Sequence, residues 1–331
     1  DDEELDDLFK TEEILHRQYE KVDIDTVVEQ QTHLSEEQKE LLRRAFTGHE
    51  VLFNGKLGKY PHRQVHLDLK EDAKPVHCRP FPVPHAHQEV FRDEASKLVE
   101  DSVLSPIGAS EWAAPTFIIP KKNKTVRWVS DFRKLNLQLR RHVYPLPRIQ
   151  DILHRRRGYK YFTKIDISMQ YYTFELDEES RKLCVIITPF GKYQYNRLPM
   201  GVKSSPDFAQ EIMEDLFRDL DFTEVYLDDI GIFTDGTFAE HMEHVRIVLT
   251  RFQDNGFTVN PLKCKWGVQE TDWLGYWLTP TGLKPWKKKI DAILKLQPPT
   301  NVKELRSLIG LVNYYRDMWP RRSHTLAPLT E

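Results

Sequence analysis

Cysteine is scarce in this sequence: Cys78, Cys184 and Cys264 are the three in 331 residues. Their number is odd and their spacing fits no zinc pattern. A disulfide framework and a cysteine-based metal cluster are excluded, leaving buried or incidental thiols in a reducing compartment. Long apolar runs are missing as well. Stretches such as Ala113 to Pro120 and Gly231 to Phe233 fall far short of the ~20 residues that cross a bilayer, so no membrane partner is expected. Position 1 is Asp, with no basic region and apolar core behind it. No signal peptide is expected, and the sequence reads as a piece of something longer. No repeat with a period of 20–50 residues is present. A strong net charge is also absent, since 48 Lys and Arg face 51 Asp and Glu.

That near-neutrality hides a gradient. Residues 1–30 carry twelve acids against Lys10, Arg17 and Lys21, a balance of −9. Residues 283–331 carry ten Lys and Arg against Asp291, Glu304, Asp317 and Glu331, a balance of +6. A polyanionic partner is therefore not excluded, because local basic surface sets the electrostatic footprint. The acidic start reads as a solvated lead-in. With 40% hydrophobic and 30% charged residues the chain as a whole is an ordinary globular protein. At roughly 100–200 residues per domain, it holds two or three packed units or one elaborate one.

Local signals give the elements. Ser35-Glu-Glu-Gln38 reads as a capping box ahead of Leu41, Leu42, Ala45 and Phe46, with Gly48 as the stop. Residues 85–104 read as a helix. Ala113 to Pro120 and Thr125 to Val129 read as a hairpin whose tip is Lys121-Lys-Asn-Lys124. Tyr159 to Ile167, Tyr171 to Leu176 and Leu183 to Thr188 read as strands. Asp207 to Leu220 and Phe238 to Gly256 have apolar residues at helical spacing. Gln297-Pro-Pro-Thr300 is a break, followed by a helix with Leu305, Leu308, Ile309 and Val312 on one face and Asn301 as its N-cap. Strands and helices lack a steady βαβ rhythm. The expected class is α+β, with helices covering one face of an antiparallel sheet.

The acids in the middle of the chain need an explanation. Val225-Tyr-Leu-Asp-Asp-Ile-Gly-Ile-Phe233 reads as strand, two-residue turn, strand. Asp228-Asp229 by itself fits an ordinary turn as well as a metal site. Asp166 weighs on that choice, because it ends the β-like run Tyr161-Phe-Thr-Lys-Ile-Asp166, where a carboxylate needs a partner. If the two strands are neighbours, three carboxylates meet at one end of a sheet. Mg²⁺ takes one or two carboxylates together with substrate phosphates, and two ions clamp the attacking and leaving oxygens of an in-line displacement.

Nine pieces in family order carry a resemblance. They are Trp112-Ala-Ala-Pro-Thr-Phe-Ile-Ile-Pro-Lys-Lys122, Arg127-Trp-Val-Ser-Asp-Phe-Arg-Lys-Leu-Asn136, Tyr144-Pro-Leu-Pro-Arg-Ile-Gln150, Phe162-Thr-Lys-Ile-Asp166, Arg197-Leu-Pro-Met-Gly201, Tyr226-Leu-Asp-Asp229, Asn260-Pro-Leu-Lys-Cys264, Trp273-Leu-Gly-Tyr276 and Lys303 to Tyr315. Together they resemble the reverse transcriptase of gypsy-type LTR retrotransposons over about residues 50–331.

The resemblance implies a right-hand polymerase. It divides the chain into an acidic helical N-terminal extension (1–48), an N-terminal segment with fingers (49–145), palm (146–177), a fingers-to-palm return (178–205), palm with catalytic hairpin and primer grip (206–282), and a helical thumb (283–331). Asp166, Asp228 and Asp229 resemble the catalytic triad, with the Ile167 carbonyl as a further ligand for two Mg²⁺ ions, Mn²⁺ being a possible substitute. Lys121, Lys122 and Arg127 resemble the contacts to the incoming triphosphate. Tyr171 resembles the steric gate against a 2′-hydroxyl, the other reading being a packed tyrosine beside Tyr172. Gln170 stands where many relatives have glycine. Met200 and Gly201 resemble the segment against sugar and base, and Trp273, Leu274, Gly275 and Tyr276 the primer grip. Lys263 resembles the lysine that protonates pyrophosphate.

The implied partners are an RNA or DNA template with its primer, and dNTPs. The implied setting is a polyprotein with RNase H and integrase regions, in the cytoplasm or a virus-like particle. Three rivals stand beside this reading: an RNA-directed RNA polymerase, a two-metal nuclease, and a catalytically silent nucleic-acid-binding protein derived from a retroelement.

Overall fold

A computed structural model describes residues 21–120, 126–167, 171–285 and 287–314. The fold is mixed α and β, built on three sheets.

The four-stranded sheet organises the middle of the chain. Its strands are β4 (Tyr161–Asp166), β7 (Thr223–Tyr226), β8 (Asp229–Thr234) and β9 (Lys265–Val268), in the order β7-β8-β4-β9 and antiparallel throughout. Side chains alternate across a strand with period two, so each strand serves two faces. One face presents Ile165, Val225, Ile230 and Ile232, which pack into the main core beneath helices α7 (Ser205–Phe217) and α8 (Phe238–Asp254). The other face carries Phe162 and Phe233, which join Tyr159, Ile152, Leu153, Trp273 and Tyr276 in a second core. Helices thus cover one face of an antiparallel sheet, as expected. Gly231 is required on the second face, where an added Cβ would lie 2.9–3.2 Å from the rings of Phe233, Phe162 and Trp273.

A five-stranded sheet takes strands β1 (Leu104–Ile107), β2 (Ala114–Pro120), β3 (Val126–Ser130), β5 (Val185–Thr188) and β6 (Gly191–Tyr195) in the order β1-β6-β5-β2-β3. The β2–β5 pair is parallel and the other pairs of this sheet are antiparallel. Its interior holds a hydroxyl network. Tyr195 Oη meets Ser130 Oγ at 2.8 Å and accepts from Trp128 Nε1 at 3.0 Å, and Ser130 Oγ meets Thr116 Oγ1 at 2.9 Å. Buried hydroxyls need partners, and these supply one another.

The third sheet, β10 (Thr271–Trp273), β11 (Tyr276–Thr279) and β12 (Gly282–Pro285), leans on the second core. Strand β12 continues past residue 282, so a boundary at 282/283 cuts a strand. The helices beyond begin at Lys287 and Val302, and Asn301 caps the second through its side chain to the Glu304 amide at 2.9 Å.

Two expectations are corrected. Residues 24–29 are not a solvated lead-in. They form a helix whose Val27 and Val28 are fully buried, tied by Asp25 and Glu29 to Arg43 of the capping-box helix Glu36–Phe46 at 2.9 and 3.4 Å. Phe46 of that helix meets Trp266 edge-on at 4.8 Å, so this segment braces the four-stranded sheet. Residues 1–20 lie outside the described residues. The run Tyr171 to Leu176 is not a strand. It opens as a 3-10 turn over Tyr171–Thr173 and then makes single bridges at Glu175 and Leu176. Helix Glu178–Leu183, begun by Asp177 as N-cap, was hidden in a short charged segment.

Among the described residues, no helix is long and apolar enough to cross a membrane.

Candidate active site

The register of β4 against β8 sets Asp166 directly opposite Asp229. Period-two alternation carries Asp166 and Lys164 to the face that also holds Phe162, and Asp229 to the face of Gly231 and Phe233. The acids therefore sit at one end of the second core's face, on the side of the sheet opposite α7 and α8. Lys164 Nζ lies 3.9 Å from Asp229 Oδ1, with both side chains about one-fifth exposed. Like charges opposite each other on a sheet repel, and Lys164 offsets part of that. Sequence reading missed Lys164. The signal was available, because it lies two residues before Asp166 and shares its face.

The hairpin turn is Leu227-Asp228, one residue earlier than expected, because Tyr226 pairs with Asp229. Leu227 adopts a positive φ of +53°, a conformation that costs a non-glycine residue roughly 1–2 kcal/mol. The Ile167 amide donates to the Asp228 carbonyl at 3.3 Å, which joins the end of β4 to the turn. Burial pushes the Asp228 carboxyl above the ordinary range, while its own backbone amide and the charges of Lys164 and Lys263 pull it back. Lys263 is exposed, within reach of the field at Asp228.

Two further groups fix this end of the sheet. The Asp166 amide donates to Cys264 Sγ at 3.4 Å, and that thiol donates to the Asn260 carbonyl at 3.3 Å. Cys264 is buried and its pKa is raised by burial, which fits a structural thiol. Behind β4, Thr163 Oγ1 meets His241 Nε2 at 2.7 Å and accepts from the Gly267 amide at 2.9 Å. Burial holds His241 neutral, with its pKa lowered to about 3.

The carboxylates supply hard oxygen donors of the kind Mg²⁺ takes. Among the described residues, however, no three His, Cys, Asp or Glu side chains form a ready-made metal cluster. The three acids share one sheet end without closing into such a group. A donor set of this size fits an ion that takes its remaining ligands from substrate phosphates and water.

The other expected residues divide. Arg127 lies on β3, opposite Ile119, one pair from the end of its hairpin, and is half-buried. Of the adjacent tyrosines, Tyr172 is buried with its ring 6.3 Å from Tyr195, while Tyr171 is half-buried and opens the 3-10 turn. Met200 is half-buried and Gly201 exposed with φ +87°. The Gly201 carbonyl accepts from Asn136 Nδ2 at 2.8 Å, and Asn136 Oδ1 accepts from the Lys203 amide at 2.9 Å, so one side chain clamps this segment. Leu274 and Gly275 form the β10–β11 turn with φ of +50° and +84°, the two positive values a tight hairpin prefers. Trp273 and Tyr276 flank it but are buried, so they position the turn from below. Lys121, Lys122 and Gln170 lie outside the described residues.

Comparison with known proteins adds a family and a fold likeness. Residues 119–278 match the family described as reverse transcriptase (RNA-dependent DNA polymerase). The chain is 32% identical over 264 residues to the retrovirus-related Pol polyprotein from transposon 297 of Drosophila melanogaster, covering 77% of this chain and 25% of that protein. It is 28% identical over 268 residues to the transposon Tf2-3 polyprotein of Schizosaccharomyces pombe, covering 80% of this chain and 20% of that protein. The chain thus spans about a quarter or less of the curated relatives it matches. Its fold is similar to that of the foamy viral protease-reverse transcriptase. A form in complex with double-stranded DNA aligns with TM-score 0.85 at 22% identity, covering 97% of this chain and 56% of that one. A form in complex with an RNA/DNA hybrid aligns with TM-score 0.82 at 22% identity, covering 94% and 43%. The α+β fold is similar to that of these reverse transcriptases, and residues 119–278 of the chain belong to the reverse transcriptase family.

Proposed function

We propose that this chain is the polymerase part of an LTR retrotransposon of the gypsy type, extending a primer with dNTPs on an RNA or DNA template. The observation that carries the reading is the β4–β8 register, which sets Asp166 opposite Asp229 and puts Asp228 in the adjoining turn. In this reading the five-stranded sheet belongs to the fingers, the four-stranded sheet is the palm, and the helices from Lys287 onward are the thumb.

The primer 3′-hydroxyl attacks the α-phosphorus of the dNTP. A new P–O bond forms, the bond to the bridging oxygen of the β-phosphate breaks, and pyrophosphate leaves. Asp166, Asp228 and the Ile167 carbonyl would hold two Mg²⁺ ions, with Asp229 supporting the site. When bound, the ions supply the positive charge that stabilises the attacking and leaving oxygens. Arg127 and a lysine of the Lys121-Lys122 pair neutralise the triphosphate. Tyr171 lies under the sugar and excludes a 2′-hydroxyl, and Met200 and Gly201 border the nucleotide. The Leu274-Gly275 turn, seated on Trp273 and Tyr276, holds the primer end. Lys263 gives a proton to pyrophosphate. The basic helices of the thumb grip the duplex through phosphates, which carry no sequence information.

The test is extension of a DNA primer on an RNA template with dNTPs and Mg²⁺, by the wild type and by Asp228→Asn. Extension by the wild type alone supports the reading. Primer-template binding without extension by either protein favours a silent nucleic-acid-binding protein. Use of rNTPs in place of dNTPs favours an RNA polymerase.

A further inference from the structure

Helix α7 presents a glutamine where its buried face should be apolar. Gln210 is fully buried between Ala209 and the Ile212-Met213 pair. A buried amide is costly unless its donors and acceptor are used. Here they meet three partners. Oε1 accepts from the Leu227 amide at 2.7 Å, and Nε2 donates to the Val225 carbonyl at 3.0 Å. Both groups belong to the β7–β8 hairpin that carries Asp228. Leu227 is the residue held at φ +53°, so the amide of Gln210 satisfies the backbone at the strained point of the turn.

Nε2 also donates to Glu214 Oε1 at 2.7 Å, one helical turn away. The other carboxylate oxygen, Oε2, accepts from Tyr144 Oη at 2.6 Å. Tyr144 lies in the Tyr144-Pro-Leu-Pro segment between the five-stranded and four-stranded sheets, and its own amide donates to Asp207 Oδ1 of the same helix at 3.1 Å. The hydrogen bond to Glu214 raises the tyrosine pKa to about 12, so the hydroxyl stays a donor. An unbroken chain of hydrogen bonds thus runs from the inter-sheet connector, through Glu214 and Gln210, to the turn bearing Asp228.

We infer that Gln210 is a positioning residue for the catalytic hairpin, and that Tyr144 and Glu214 form the arm through which the inter-sheet connector sets it. The inference rests on the proposed polymerase reading. Gln210 touches no substrate. It acts by holding Leu227 in a left-handed conformation that is costly for a leucine.

Two measurements test this, one independent of activity. Gln210→Met keeps length and helix propensity and removes all three bonds. In hydrogen exchange, peptides covering residues 225–230 of the variant should lose about tenfold or more of their protection, while peptides within α7 keep theirs; equal loss in both would mean Gln210 is ordinary packing and would overturn the inference. In primer extension, kcat should fall about tenfold with the KM for dNTP changed less than about threefold.

The sharper readout is the pair with Leu227→Gly. Glycine takes positive φ at little cost, so the turn no longer needs its clamp. Gln210→Met should then lower kcat at most about twofold relative to Leu227→Gly alone. An undiminished tenfold loss in that background would overturn the inference. Tyr144→Phe, which removes one hydroxyl, should reproduce a few-fold part of the kcat loss, and no change would cut the arm from the proposal. Inactivity of the wild type would defeat the polymerase reading, while the exchange result would still decide whether Gln210 sets the hairpin. Should Gln210→Met fail to fold, Gln210→Leu, which also removes all three bonds, carries the same exchange comparison.

Discussion

Asp166 and Asp229 are direct cross-strand partners on β4 and β8, with Lys164 Nζ 3.9 Å from Asp229 Oδ1. A pair of opposed carboxylates is a liability to the fold and an asset to a cation site, and this tension yields a measurable trade. Asp166→Asn should abolish primer extension, by on the order of 10²–10³-fold. In the presence of a chelator it should also raise Tm by about 1 °C, because it removes a like-charge pair worth roughly 0.2–1 kcal/mol. A variant that loses stability as well as activity would mean the pair is not repulsive.

Trp273 separates shape from hydrogen bonding. Its ring is buried against Phe162 at 5.3 Å and Phe233 at 5.6 Å, and its indole Nε1 meets no hydrogen-bond partner among the described residues. Trp273→Ala should cost about 3–5 kcal/mol by opening a cavity beneath the Leu274-Gly275 turn. Trp273→Phe should cost far less, about 1–2 kcal/mol, since no bond is lost. Chemical denaturation of the two variants checks the difference. Equal costs would show that the indole nitrogen matters after all.

Tyr171 offers a test of sugar selection. It is half-buried at the start of its 3-10 turn, so truncation exposes space without emptying the core. Tyr171→Val should improve use of rNTPs relative to dNTPs by about tenfold or more, the scale on which a lost steric contact changes discrimination. Competition between the two nucleotide classes in primer extension gives the ratio. An unchanged ratio would make Tyr171 a packing residue.

His66 gives the pH prediction. Its Nδ1 lies 2.5 Å from Asp177 Oδ2, and its Nε2 lies 3.2 Å from Asp68 Oδ1. The hydrogen bond with Asp177 raises the imidazole pKa above its ordinary value. Such a group stabilises the fold fully below its unfolded pKa near 6.5, and the contribution is lost as pH rises through the higher folded value. Asp177, which also caps helix Glu178–Leu183, pays a burial cost that its hydrogen bonds to Ser180 and His66 outweigh, so its pKa is lowered and its part is lost at acid pH. His66→Asn should therefore lower Tm by about 1 °C near pH 5.5, the small scale of an exposed pair, and by less above pH 8. A loss constant across that range would exclude the charge.

Much of this protein was legible because its local signals agree with its tertiary demands. The Ser35–Gln38 capping box forms as read, with Ser35 Oγ accepting from the Gln38 amide at 3.2 Å and Gln38 Oε1 from the Ser35 amide at 3.1 Å. The helices over 205–217 and 238–254 follow from apolar spacing that packs on one sheet face. Tyr171 to Thr173 misled, because β-forming aromatics there serve a turn whose residues pack among the rings of other elements. The hairpin slipped by one residue because Asp229, a poor strand former, is held in the ladder by its pairing with both Tyr226 and Asp166.

By itself the sequence determined the α+β class, the principal helices and the buried character of Cys184 and Cys264, since each depends on residue type and short-range spacing. Tertiary structure alone decided which acids oppose each other, that Lys164 stands beside them, and that a glutamine on a distant helix holds their turn. Those facts depend on strand register and on hydrogen bonds between residues 17 to 70 positions apart, as from Gln210 to Leu227 and from Tyr144 to Glu214. Contacts at that separation leave no period in the sequence, because loop length between the partners is unconstrained and only the packed sheet fixes their meeting.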